Sequence, residues 1–296
     1  MKIYDCFMFY DEELIIDLRL NIMNQFVDEF IVVESKFTHS GEKRGLLFDI
    51  NKYPNFKNKI NYIVLENEPN NLEKIHDSDS DDKKNSKYIM NALRRENYQR
   101  NGIARGLTKA NPDDLILISD VDEIPNLNNL SIDKINNEII LFKQNFYYYK
   151  FNLKLEDMPW LGTKACKYKF LKSPQWLRNV KAKKYPLWRV DMLFSNKKYS
   201  NIKFIENGGW HFSNMKSAAD IEKKMRTYLH HREYDVNPLG KEKIEKIIKD
   251  KKSIYNLRAD MKTEKFDGTQ NLKPTDGSEL PKFIKENIKK YSNWIE

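Results

Sequence analysis

Apolar and polar positions change period several times in the first 120 residues, and each change marks an element. Residues 2–9 (KIYDCFMF) are a nearly continuous apolar run, which predicts a buried strand. Across 11–26, Leu14, Ile15, Leu18, Ile22 and Phe26 recur at helical spacing behind acids suited to a first turn, which predicts a helix. Residues 28–35 (DEFIVVES) and 59–67 (KINYIVLEN) predict two more strands, the first rich in β-branched side chains. The run 76–87 (HDSDSDDKKNSK) has no apolar anchor and is expected to be an exposed loop with solvated aspartates. A long helix is expected over 87–107 with Ser86 as its cap, then a turn at 111–114 (NPDD). Residues 114–119 (DLILIS) predict a strand of the kind that runs inside a parallel sheet.

The second half reads differently. Residues 138–152 predict a long aromatic strand, and 158–212 carry Trp160, Trp176, Trp188 and Trp210. A helix is expected over 217–231, opened by a capping box of Ser217 and Asp220. A Lys-rich helix follows over roughly 239–257, then a turn-rich tail ending in a short helix. Strands separated by helical crossovers imply an α/β fold with a mostly parallel central sheet. No repeat and no Gly/Ser linker interrupts the chain, so one continuous domain is expected, with unequal halves 1–150 and 151–296.

Composition narrows the function classes. The chain is 40% hydrophobic and 32% charged, and no run approaches the ~20 apolar residues of a membrane span. No signal peptide is apparent, and Cys6 and Cys166 are too few and too far apart for a disulfide scaffold or zinc cluster. A reducing cytoplasm is therefore expected. The net charge of +9 is spread along the whole chain and reads as a solvated surface rather than a nucleic-acid groove. Only KAKK at 181–184 and KDKK at 249–252 are dense, which leaves a peripheral membrane contact as an option.

The candidate chemistry lies in DDLILISDVDEIP, residues 113–125. Ligands of parallel sheets collect at the carboxyl ends of strands, and this strand ends in Asp120, Asp122 and Glu123. Residues i and i+2 of a strand share a face, so Asp120 and Asp122 are expected to project together. Two such carboxylates repel unless a cation lies between them, and oxygen ligands favour Mg²⁺ or Mn²⁺ carrying phosphate oxygens. The bland reading is that both acids cap a turn before Pro125. A rival enzyme reading is a haloacid-dehalogenase-like phosphatase with Asp120 as nucleophile, although there the motif usually sits on the first strand.

Four segments in series, FVDEFIVVESKFTHSGEKR (26–44), NPDDLILISDVDEIP (111–125), GGWHFS (208–213) and FDGTQ (266–270), resemble glycosyltransferase family 17, the family of β-1,4-mannosyl-glycoprotein N-acetylglucosaminyltransferases. The resemblance runs from about residue 3 to about 285. It implies a GT-A-like fold, a UDP-sugar donor (UDP-GlcNAc by analogy), inverting transfer and Mn²⁺ or Mg²⁺ on Asp120 and Asp122, with His211 as a third ligand or simply a packed histidine. It nominates Phe9, Tyr10 and Glu34 for the nucleotide, Phe9 being equally suited to the core. Arg95 or Arg100, together with the metal on Asp120, is nominated for the diphosphate. Asp267 is the preferred base over Glu123 and Glu206, and Gly208 and Gly209 would leave backbone room for a ligand. The acceptor implied is a glycan or lipid-linked glycan, and the segment 150–205, where its recognition should lie, matches least. A non-catalytic carbohydrate-binding protein on the same fold is the remaining alternative.

Overall fold

The computed structural model describes residues 1–128, 130–131, 134–186, 191, 194–228, 231–255 and 270–296. In chain order its elements are β1 (Ile3–Met8), α1 (Glu13–Met23), β2 (Glu29–Ser35), β3 (Ile60–Leu65), α2 (Asp81–Asn101), β4 (Leu115–Asp120), β5 (Glu123–Pro125), β6 (Ile139–Tyr148), β7 (Leu153–Lys167) and α3 (Pro174–Asn179). They continue with β8 (Ile202–Ile205), β9 (Gly209–Ser213), α4 (Ala218–Thr227), α5 (His231–Val236), α6 (Lys241–Lys249), β10 (Lys273–Pro274) and α7 (Lys282–Glu286).

The strands form one mixed sheet in the order β3-β2-β1-β4-β7-β6-β9-β5, with β8 beside β6 and β10 beside β7. The parallel expectation holds across β3, β2, β1 and β4. It fails beyond β4, where β7 runs antiparallel to both β4 and β6. Only residues 149–152 separate β6 from β7, too short a connection for a parallel crossover, so the pair must be a hairpin. Strand alternation divides the core. Phe7, Phe30, Val32 and Leu117 face the side covered by α1 and α7, while Cys6, Ile31, Val33, Ile116 and Ile118 face the opposite side with Ile103 and Leu177. Both cysteines are free and buried. A third apolar cluster joins Phe146, Tyr148 and Leu155 to Ile221, Met225, Ile244 and Ile247 of α4 and α6.

Two local expectations are corrected. The charged run 76–87 is not a loop throughout: α2 starts at Asp81, and Ser80 Oγ accepts from Lys83 N at 3.4 Å, so Ser80 rather than Ser86 is the cap. Asp81 and Asp82 then lie in the first turn, where negative charge favours a helix. Asp79 is only 7% exposed and bonded to Lys83 and Lys87, not solvated. Strand β7 was not foreseen, because Glu156, Pro159 and Gly162 break its apolar alternation. Pro159 falls where the β6–β7 register slips between Gln144↔Trp160 and Phe146↔Leu155, a place where no ladder N–H is required. Among the described residues no helix is long and apolar enough to cross a membrane.

Candidate active site

Strand β4 ends at Asp120, the chain turns through Val121 and Asp122, and β5 begins at Glu123. The turn is gripped from behind by Arg19, a fully buried residue of α1. Arg19 Nη1 donates to the carbonyls of Asp120, Val121 and Glu123 at 3.1, 3.1 and 2.8 Å. Its other nitrogens reach both oxygens of Asp5 at 2.8 and 2.6 Å, and Ser119 Oγ at 3.0 Å. A buried charge requires a partner of this kind, so Asp5 and Arg19 stand or fall together.

A second guanidinium organises the side chains. Ser173 caps α3 by accepting from Trp176 N at 3.1 Å, with Pro174 in the first turn, and the helix delivers Arg178 beneath the turn. Arg178 donates to Asp120 Oδ2 at 3.0 Å, to Glu123 Oε2 at 2.7 Å and Oε1 at 3.1 Å, and to the Gly162 carbonyl. Glu123 also accepts from Trp160 Nε1 at 2.7 Å and from Asp120 N at 2.8 Å. Asp120 Oδ1 accepts from Arg100 at 3.0 Å. Burial alone would raise the Asp120 carboxyl, but Arg178 and Arg100 overcome it and hold the group well below the usual carboxylate range. Burial opposes and carboxylate partners favour the Arg178 guanidinium, which stays charged throughout.

Strand β9 lies between β5 and β6, so His211 is opposite both Glu123 and Phe146. Its ring stacks on Phe146 at 4.3 Å and leans on Trp160 at 4.8 Å. His211 Nε2 faces Asp122 Oδ2 at 3.6 Å, and its buried Nδ1 has no hydrogen-bond partner among the described residues. Burial pushes the Asp122 carboxyl up, while His211 and Lys224 bring it below its ordinary value. Burial likewise depresses the Lys224 ammonium, but Asp122 and Glu12 reverse this and raise it. Asp120, Asp122, His211, Arg100 and Lys224 line one cavity of about 440 Å³ at the carboxyl ends of β1 and β4. Among the described residues no three His, Cys, Asp or Glu side chains form a ready-made metal site.

The nominated residues separate into two groups. Phe9, Tyr10, Arg100, Asp120, Asp122 and His211 all line this cavity. Phe9 is also core, edge-on to Phe48 at 5.6 Å, and the Tyr10 ring is covered by the Arg44 guanidinium at 4.2 Å. The others do not converge here. Glu34 is buried, and its carboxylate accepts from Leu47 N, Phe48 N, Tyr62 Oη and Arg44, which leaves nothing for a nucleotide. Arg95 does not line the cavity: it is tied to Glu68 at 2.5 Å and to the carbonyl of His39 at 3.3 Å. Glu123 is enclosed and fully bonded, so it braces the site and cannot take a substrate proton. Glu206 is exposed, paired with Lys143 at 2.6 Å. Asp267 lies outside the described residues. Gly208 and Gly209 make room for protein rather than ligand: a Cβ on Gly209, at φ +128°, would meet Ile124 O at 2.1 Å, and one on Gly208 would meet Ile205 O at 2.8 Å. Arg19, Arg178 and Lys224 escaped the sequence reading, and Trp160 stood there only among the aromatic residues of the second half. A lone Asp5 in an apolar strand was the one available signal that a buried cation existed.

The family model for glycosyltransferase family 17 matches residues 1–295. The chain belongs to glycosyltransferase family 17. Membership makes it a glycosyltransferase and implies a nucleotide-sugar donor and a glycan acceptor. A search of curated proteins returned no match. The phosphatase reading loses its basis with the family assignment, and an Asp120 nucleophile would in addition have to shed two guanidinium groups.

Proposed function

We propose that this family 17 glycosyltransferase moves N-acetylglucosamine from UDP-GlcNAc, with inversion and in the presence of a divalent cation, to a hydroxyl of a glycan or lipid-linked glycan. The fold would be GT-A-like, with residues 1–150 supplying most of the donor site and 151–296 most of the acceptor site, in a cytoplasmic and peripherally membrane-associated protein. The observation that carries the reading is a cavity at the carboxyl end of β4 lined by Asp120, Asp122, Arg100 and Lys224 in a chain of this family.

Asp122 and His211 fit the cation best. Their Oδ2 and Nε2 face each other at 3.6 Å, and both residues line the cavity. Two protein donors suffice for Mg²⁺ or Mn²⁺, which commonly complete their shell with water and phosphate oxygens. Asp120 fits less well, since both its oxygens are taken by arginines. When bound, the cation supplies positive charge beside the donor diphosphate.

The remaining work falls to the protein. Arg100, whose terminal nitrogens already donate to Gln175, Glu96 and Asp120, adds fixed positive charge to the cavity, and Lys224 adds a compact charge on the other wall. Both favour the charge that develops as the nucleotide leaves, in a setting organised before substrate arrives. Phe9 and Tyr10 supply the apolar floor for the base and ribose.

Calorimetry of UDP with and without Mn²⁺, on the wild type, Asp122→Ala and His211→Ala, tests this. Expected is binding that Mn²⁺ strengthens about tenfold or more, an increment lost in both variants. Equal UDP binding under all conditions would remove the cation from the reading. No turnover of any nucleotide sugar would leave a non-catalytic carbohydrate-binding protein.

A further inference from the structure

A second cavity of about 780 Å³ opens on the other side of the turn, between α1, the β6–β7 hairpin, α4, α6 and the carboxyl-terminal residues. It shares Glu12, Asp122, Asn214 and Lys224 with the first. Resting on the donor reading above, we propose that this second cavity is the acceptor site, that it takes a neutral saccharide, and that Glu12 in the shared wall is the catalytic base.

Three observations lead there. A transfer between two substrates needs two compartments that meet at one atom, and these cavities meet at a wall containing two carboxylates and an ammonium. The second cavity also has a sugar-like lining. Half-buried Trp294 offers an aromatic face, and the polar remainder mixes signs, with Asp11 bonded to Lys216 and Lys249 and Glu245 both at the rim. Such a lining favours an uncharged polyhydroxyl ligand, and the volume lies within the range of small-ligand sites.

The third observation concerns Glu12 itself. Its Oε2 accepts from Tyr10 N and Asp11 N, both at 3.1 Å, which fixes the carboxylate at the end of β1. No described residue donates to Oε1, so one oxygen is anchored and the other is available. Asp122, the other shared carboxylate, faces His211 and is assigned to the cation. In the step, an acceptor O–H gives its proton to Glu12 Oε1. The oxygen lone pair forms the new bond to the anomeric carbon, and the bond from that carbon to the diphosphate oxygen breaks with its electron pair. The products are the glycoside of inverted configuration and UDP, and Glu12 then returns its proton to water.

The test plugs the second cavity alone. Asn293 is exposed at its rim, and the native Cys6 and Cys166 are buried, so Asn293→Cys offers a single accessible thiol for a bulky maleimide. Saturation-transfer NMR would be run with millimolar methyl mannoside, methyl galactoside, methyl N-acetylglucosaminide and chitobiose, beside calorimetry of UDP with Mn²⁺. Expected is that at least one saccharide binds the unlabelled variant and is lost on labelling, while UDP affinity stays within about threefold. With that saccharide present, Glu12→Gln should release UDP from the donor about 100-fold more slowly at unchanged UDP affinity. The proposal is overturned if none of the saccharides binds, if binding survives the label, if the label abolishes UDP binding, or if Glu12→Gln turns over normally. Failure of UDP to bind the unlabelled protein would instead strike the donor reading, because the saccharide measurement does not depend on it.

Discussion

Replacing Arg19 by Met should unfold the strand-end turn more severely than losing one ion pair suggests. Arg19 and Asp5 are both 0% exposed, so the variant leaves a carboxylate in the interior with no counter-charge. Breaking a buried pair in this way costs about 3–5 kcal/mol. The carbonyls of Asp120 and Val121 also lose their guanidinium donor, whereas that of Glu123 keeps Thr163 Oγ1 at 3.1 Å. Unsatisfied buried acceptors add about 1–3 kcal/mol, giving roughly 4–8 kcal/mol in all. The double variant Asp5→Leu/Arg19→Met removes the stranded charge and keeps only the carbonyl penalty. It should therefore be more stable than Arg19→Met alone by about 3–5 kcal/mol. Urea unfolding followed by tryptophan fluorescence measures both. A cost below about 1 kcal/mol for the single variant, or no recovery in the double, would refute the account of Arg19 as the brace of the turn.

Arg178→Met should cost about 3–5 kcal/mol at pH 7, since it strips the cation from the nearly inaccessible Glu123; the share from Asp120, about 39% exposed, is screened and smaller. Because the native Asp120 pKa is depressed, its contribution is present above the unfolded value of ~3.9 and fades as pH falls further, so denaturation at pH 3 should show a smaller deficit than at pH 7. Burial lowers the Lys164 ammonium to about 7, where it donates to the Arg178 and Val180 carbonyls at 2.5 and 2.6 Å. Above that pH the unfolded chain holds a proton that the native one has released, so stability should climb with pH from about 7 to 10 by up to ~1.4 kcal/mol per unit. Lys164→Met should flatten that slope, and parallel profiles for the two proteins would discard the idea. Gly209→Ala should lower stability by more than about 2 kcal/mol in the same unfolding assay, because the added Cβ meets Ile124 O where β9 joins β5; a loss under 1 kcal/mol would mean the strands can part cheaply.

The sequence pattern was most informative where one physical rule decides the outcome. Strands β1, β2 and β4 are largely apolar on both faces because both faces are covered, and continuous apolar runs report that directly. Helix α4 began where its capping box placed it, with Asp220 N donating to Ser217 Oγ at 3.2 Å. Strand β7 broke the pattern because it serves three environments along its length. It pairs with β10 at one end, bulges past Asn145 in the middle, and packs Gly162 against Gln144 and Glu123 near the other end, where a Cβ would come within 2.3 Å of Gln144 Oε1. A periodicity test averages over those demands and finds none of them.

The site divided along the same line. Acids presented by a strand end are visible because the strand is visible, so Asp120, Asp122 and the cavity they share followed from the motif. The cations that hold them came from 101 residues upstream in Arg19 and 58 residues downstream in Arg178, and nothing local ties an arginine to a distant carboxylate. Glu123 illustrates the cost. By sequence it is the nearest candidate base; in the fold its carboxylate accepts from Arg178, Trp160 and the Asp120 amide at once. A base must have an oxygen to spare, and sequence adjacency to the acids worked against Glu123 by drawing it into their scaffold. Glu12 had no motif to recommend it, yet it stands where two cavities meet with one oxygen that no described residue engages. Availability of lone pairs, which only the folded hydrogen-bond pattern reveals, separates a carboxylate that can work on a substrate from one that holds the site together.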